Sequence, residues 1–384
     1  MDKRATVLQL VPKLDTGGAE RVAIEIAEAL TKAGHRALIA CEGGVLTQSA
    51  IRAGAEILPV PLDTKSPFAM RRNASRLKRL IKIHKVDIVH AHSRAPAWSG
   101  YWATRGSGTK FVTTYHGVYK EKTPFKRRYN AVMAMGDRVI AVSQFIAELI
   151  ALRYPAAAPK IRVIHGGVDP LKFDPTAMLG DRAVRLAQNW RLKLGAPTIM
   201  LPARLTGWKG QRLLISALAQ LRHKDALAVL AGSDQQRDRY VASLIAHAQR
   251  LGVAQRLRLT GNVEDMPAAM MLADVVVNAS TDPEAFGRTI VEAQAMARMV
   301  IASDHGGARE TIINGETGLL FPPGDAAALA AAIDAVLDLS PEDRIAWGQH
   351  ARAVVSTRYS VAAMQQAVLE VYGELLAGPP GAIP

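Results

Sequence analysis

Residues 7–41, VLQLVPKLDTGGAERVAIEIAEALTKAGHRALIAC, hold one complete turn of an alternating α/β chain. Residues 7–11 are a short apolar run of strand length, Asp15-Thr16-Gly17-Gly18 reads as a turn, and residues 19–33 carry Val22, Ile26 and Leu30 at helical spacing. Residues 37–41 are the next strand. The same rhythm continues outward, with helices expected at 72–84, 97–104 and 125–135 and strands at 87–90, 110–114, 138–142 and 160–164. Strands separated by helices imply a mostly parallel sheet covered on both faces.

A second cycle begins near Pro197. Strands are expected at 199–203, 226–232, 257–261, 275–278 and 299–303, and helices at 211–221, 238–251, 266–271, 287–296 and 325–337. The fold class is therefore α/β, with two Rossmann-like domains and a central cleft at the carboxyl ends of their strands, where open parallel sheets take ligands. The boundary is expected between about 166 and 196, around Gly166-Gly167-Val168-Asp169-Pro170. Residues 1–180 form the first domain of this reading and residues 181–360 the second. Residues 361–384 form a final helix crossing back to the first domain, and a tail, AGPPGAIP, that frays.

At 384 residues, 49% hydrophobic and 21% charged, the chain has ordinary globular composition with room for two cores. The opening MDKRATVLQLV offers neither a signal peptide nor a spanning helix, so a cytoplasmic enzyme is expected. Cys41 is the one cysteine, which excludes an internal disulfide and reads as a small buried hydrophobe. Charge is uneven: residues 1–180 hold 28 Lys and Arg against 14 Asp and Glu, whereas residues 181–384 hold 20 of each. The excess gathers at Arg71, Arg72, Arg76, Lys78, Arg79, Lys82 and Lys85, then at Lys120, Lys122, Lys126, Arg127 and Arg128. No base-reading element or stacking aromatics accompany it, so an anionic membrane surface at the inner face of the cytoplasmic membrane is preferred as partner over nucleic acid.

Four segments carry chemistry. Arg204 and Lys209 lie just beyond a strand and before a helix, where a planar guanidinium and a mobile ammonium suit a diphosphate. Residues 281–292, TDPEAFGRTIVE, run from a strand into a helix, so the amides near Phe286, Gly287, Arg288 and Thr289 suit phosphate while Glu284 and Glu292 suit hydroxyls. The plainer alternative has Glu284 favouring the helix start and Glu292 exposed. Gly306 and Gly307 permit close backbone approach to a ligand. In the first half, Gly17 and Gly18 enter a helix without the spacing of a dinucleotide fingerprint or P-loop, and His116 ends a strand. His90 and His92 lack a metal constellation; no metal or other cofactor is expected.

In this order, Thr16-Gly17-Gly18-Ala19-Glu20-Arg21, Tyr115-His116-Gly117, Arg204 through Lys209-Gly210, and the pair Glu284/Glu292 resemble the retaining glycosyltransferases of family GT4, built on two Rossmann-like domains in the GT-B arrangement. Gly306-Gly307, Glu310 and Asn314-Gly315-Glu316-Thr317-Gly318 extend the resemblance, which spans residues 5–375; Ala285 stands where glycine is also common. The resemblance implies transfer of a hexosyl unit from GDP-mannose or a UDP-sugar to a cell-envelope glycan or lipid-linked acceptor. It also implies that Gly17 and Gly18 lie by the phosphate and acceptor, that His116 contacts the sugar, that Arg204 and Lys209 hold the diphosphate, that Glu284 contacts sugar hydroxyls and that Glu292 contacts ribose. An epimerase or hydrolase on the same architecture, or a noncatalytic binding module, remains the alternative.

Overall fold

The computed structural model describes residues 4–15, 17–177, 180–235 and 237–377; Thr16 of the glycine turn and the expected frayed tail beyond residue 377 lie outside them. The chain divides into two compact units, one comprising residues up to Gly166 together with those from Val361, the other Gly167–Ser360.

Among the described residues the first unit holds seven strands, β1 (Thr6–Leu10), β2 (Arg36–Cys41), β3 (Glu56–Pro59), β4 (Ile88–Ala91), β5 (Lys110–Tyr115), β6 (Arg138–Ala141) and β7 (Ile161–Val163). Their order is β3-β2-β1-β4-β5-β6-β7, every neighbour parallel. The second unit holds β8 (Thr198–Pro202), β9 (Leu227–Ala231), β10 (Leu257–Gly261), β11 (Val275–Asn278), β12 (Met299–Ser303) and β13 (Leu319–Phe321), ordered β10-β9-β8-β11-β12-β13 and again all parallel. Counted from its own first strand, the second sheet repeats the 3-2-1-4-5-6 order of the first. That is the doubly wound arrangement, and it places a topological switch between β1 and β4 and another between β8 and β11.

Helices on both faces explain why the central strands are buried throughout rather than on one face only. Every residue of β8, β9, β11 and β12 is buried. The sequence reading lacked β3 and β13. Both are short edge strands, and β3 has two exposed residues among its four, which leaves no apolar run to detect.

The units part at Gly166 rather than at 180, because residues 167–177 are fastened to the second unit. Val168 N donates to Tyr359 O at 2.8 Å, Phe173 is buried, and Asp174 pairs with Arg352 at 2.8 Å. The last helix, Val361–Ala377, belongs to the first unit: Met364, Val368, Val371, Tyr372 and Leu375 share one apolar cluster with Val7, Val11, Ile26 and Leu30. Glu374 on that helix accepts from Arg138 at 3.1 Å and Arg162 at 3.0 Å. Cys41 is fully buried in the same cluster, and burial pushes its thiol up, away from the reactive range. Among the described residues no helix is long and apolar enough to cross a membrane.

Candidate active site

The switch between β8 and β11 brings the two basic and acidic segments of the second unit together. Past β8 the chain makes a one-turn 3-10 helix, Gly207–Lys209, and at Gly210 enters the helix Gln211–Gln220. Gly210 has φ +77°, and a Cβ there would stand 1.8 Å from Ala279 O, so only glycine lets this turn lie against the end of β11. Thr281 N donates to Trp208 O at 2.7 Å and ties the two loops. The result places Lys209 Nζ 2.5 Å from Glu284 Oε1 and 4.2 Å from the centre of the Trp208 ring. Ser280 Oγ donates to the same carboxylate oxygen at 2.5 Å. Arg204, by contrast, is exposed, and among the described residues its guanidinium has no ion-pair partner.

Beyond Glu284 the residues sort by burial. Phe286 is buried against Tyr359, with ring centroids 5.5 Å apart and nearly perpendicular, so its side chain belongs to the core. Gly287, at φ +90°, precedes the helix Arg288–Ala295. Thr289 Oγ1 accepts from Asn278 Nδ2 at 3.4 Å. Glu292 is only 5% exposed, unlike a solvated helix former, and accepts from Arg288 Nε at 3.1 Å.

Gly306 and Gly307 make room for protein backbone. A Cβ on Gly306 would lie 2.5 Å from Glu284 O and one on Gly307 2.5 Å from Phe286 Cα, while Gly307 N donates to Glu284 O at 2.9 Å. The pair therefore buttresses the loop that carries Glu284. Sequence reading missed two further members, Ser280 and His305, whose Nε2 lies 2.8 Å from Ser280 O. Their only signal was adjacency to strand ends.

In the first unit Gly17 caps the helix Gly18–Lys32 in extended conformation, and a Cβ on Gly18 would meet nothing within 4 Å. His116, directly after β5, is half-buried, and its Nε2 lies 3.0 Å from Nδ1 of His92. His92 and His90 are both buried at the end of β4, ring centroids 4.2 Å apart. Burial holds His90 down to about 3 and His92 well below its ordinary value, so both are neutral. His90 bridges Tyr372 Oη and Thr114 Oγ1, each at 2.6 Å. Among the described residues no group of three His, Cys, Asp or Glu side chains is placed to hold a metal ion.

Two doubly wound units, one carrying a cationic and carboxylate site at its switch point, are the build of the GT-B glycosyltransferases. Residues 16–171 match the model of Glycosyltransferase Family 4 and residues 185–354 that of Glycosyl transferases group 1. A GDP-mannose-dependent alpha-(1-6)-phosphatidylinositol monomannoside mannosyltransferase of Mycolicibacterium smegmatis is 31% identical over 308 residues, 76% of this chain and 77% of the relative. Among solved structures, a glycosyltransferase from Rickettsia africae superposes with TM-score 0.89 at 36% identity, covering 98% of this chain and all of that one. HepE of Anabaena in complex with UDP and glucose gives TM-score 0.83 at 25% identity over 96% of this chain and 100% of its own. The chain belongs to glycosyltransferase family 4, with the GT-B fold, and is an enzyme of that kind.

Proposed function

We propose that the chain transfers a hexosyl unit, with retention of anomeric configuration, from GDP-mannose or a UDP-sugar to a cell-envelope glycan or lipid-linked acceptor. The observation that carries this reading is the half-buried Lys209–Glu284 pair together with the exposed Arg204 at the second switch point. A diphosphate gives Lys209 a stronger partner than one carboxylate and gives Arg204 a first one. Glu284, released from Lys209, then accepts from sugar hydroxyls, and Glu292 from the ribose. His116 contacts the sugar near its reacting carbon, and Gly17 and Gly18 accommodate phosphate and acceptor. The names of the relatives support such donors: one is GDP-mannose-dependent, and the other was solved with UDP and glucose.

The chemistry follows from the charges. As the anomeric carbon–oxygen bond breaks, negative charge grows on the departing nucleoside diphosphate, and Arg204, Lys209 and the amides opening the helix Arg288–Ala295 stabilise it more as it grows. The acceptor oxygen attacks from the same face and gives its proton to the leaving phosphate. Glu284 is not a covalent nucleophile in this scheme. The test is incubation with GDP- and UDP-sugars plus a cell-envelope lipid extract, the product identified by mass. Arg204→Ala, Lys209→Ala and Glu284→Ala each lose most transfer while remaining folded; near-normal rates in all three refute the assignment. Sugar released without acceptor indicates a hydrolase instead.

Acceptor presentation at an anionic membrane is favoured by one further feature. Ser66-Pro67-Phe68 and Thr123-Pro124-Phe125 open the two basic helices Pro67–His84 and Pro124–Asn130 in the same way, and Phe68 and Phe125 are 87% and 77% exposed. The helix Arg94–Thr104 joins them, since Ser99 Oγ donates to Met70 O at 3.1 Å and Trp98 Nε1 to Tyr129 O at 2.9 Å. Exposed aromatic rings among cations suit an interface of acyl chains and anionic headgroups.

A further inference from the structure

His116 is one end of a hydrogen-bond chain whose direction can be worked out from its other end. Ala23 O can only accept, and Gln9 Nε2 donates to it at 2.8 Å, which orients the Gln9 amide with Oε1 toward His92. Oε1 is an acceptor, so His92 Nε2, 2.9 Å away, must carry the proton. His92 is fully buried beside His90 and is neutral, so its Nδ1 holds a lone pair. Across the 3.0 Å contact that lone pair can only accept, and the proton lies on His116 Nε2.

We propose that Gln9 and His92 are positioning residues that preset His116 as its Nε2–H tautomer, so that the ring offers a lone pair from Nδ1. A histidine set this way accepts a hydrogen bond from a hydroxyl instead of donating one, and its plane is fixed by stacking on His92 at a centroid distance of 5.3 Å. The functional half of the inference rests on the proposed role of His116 at the sugar. The tautomer does not.

The test uses the full-length chain, 15N-labelled and without nucleotide sugar, in a long-range proton–nitrogen correlation that shows which ring nitrogen bears the proton. His92 and His116 are both expected as Nε2–H. His92→Asn sets an amide oxygen near the former Nδ1 and keeps His116 in that state, whereas His92→Leu releases it to a mixture of tautomers. Gln9→Met, which leaves His92 in place, also produces a mixture. Wild-type His116 protonated on Nδ1, or a His116 signal unmoved by both His92→Leu and Gln9→Met, overturns the proposal. In turnover of GDP-mannose or UDP-glucose, kcat/KM of His92→Leu is expected about tenfold below that of His92→Asn, the scale of one well-oriented hydrogen bond. Equal values in two variants of matched melting temperature overturn the positioning role. The expected tautomers with no turnover of either nucleotide sugar support the relay and count against the proposed function alone.

Discussion

Replacing Gly210 by Ala tests whether the turn behind Lys209 builds the site. The residue sits at φ +77°, a left-handed conformation that costs a residue with a Cβ about 1–2 kcal/mol. The added carbon would stand 1.8 Å from Ala279 O, so the turn must withdraw by about 1.6 Å to reach ordinary contact at 3.4 Å. That movement opens the 2.5 Å contact between Lys209 and Glu284 past hydrogen-bond range. Together with the overlap the change costs about 3 kcal/mol, a loss of about 6–12 °C in melting temperature for a domain of this size. Gly207, in the same turn, is the control: a Cβ there meets nothing within 4 Å, and Gly207→Ala stays within about 0.5 kcal/mol of wild type. Thermal unfolding and transfer rate are measured on both. Gly210→Ala melting with Gly207→Ala, or transferring sugar at the wild-type rate, would refute the reasoning.

Other consequences are equally direct. Ala297 is held at φ +53°, so Ala297→Gly relieves left-handed strain and raises stability by about 1 kcal/mol, read as a higher melting temperature; an unchanged or lower value contradicts this. Burial keeps His90 near 3 and His92 well below its usual value, while both take a proton near 6.5 once unfolded. The unfolded chain therefore binds more protons between those values, and the first unit loses about 1 kcal/mol per pH unit for each ring as pH falls below about 6.5. A denaturation midpoint that stays flat from pH 7 to pH 5 would exclude that linkage. The paired aromatic and basic helix starts predict binding to phosphatidylglycerol vesicles that weakens with salt and weakens further in Phe68→Ser/Phe125→Ser. Equal binding to phosphatidylcholine vesicles rejects it.

Legibility in the sequence followed the range of the interaction. The central strands β8, β9, β11 and β12 are buried throughout, with Thr198, Asn278 and Ser303 their polar residues, and were readable as runs, and the restart near Pro197 announced a second sheet. The helix Gln144–Arg153 escaped because its residues, QFIAELIALR, show little one-sidedness. In the site, residue types near strand ends pointed to Arg204, Lys209 and Glu284. What no spacing could show is that Lys209 and Glu284, 75 positions apart, share a hydrogen bond, or that Ser280 completes it. Gly306 and Gly307 illustrate the same limit: freedom of approach was legible, but the approaching group is the Glu284–Phe286 backbone. His90 and His92 looked like an incomplete metal site, and only tertiary contact shows their partners, Tyr372 and Thr114 for the first and Gln9 and His116 for the second.

The return of the helix Val361–Ala377 to the first unit has a consequence for biosynthesis. Val7, Val11, Ile26 and Leu30 are translated before the unit Gly167–Ser360, yet the residues that cover them, Met364 to Leu375, are translated after it. The nascent first unit must wait with a greasy flank uncovered while the whole of Gly167–Ser360 is made, and that unit can finish ahead of it. A premature stop just short of this helix would spare the later half and leave the earlier one a client for chaperones.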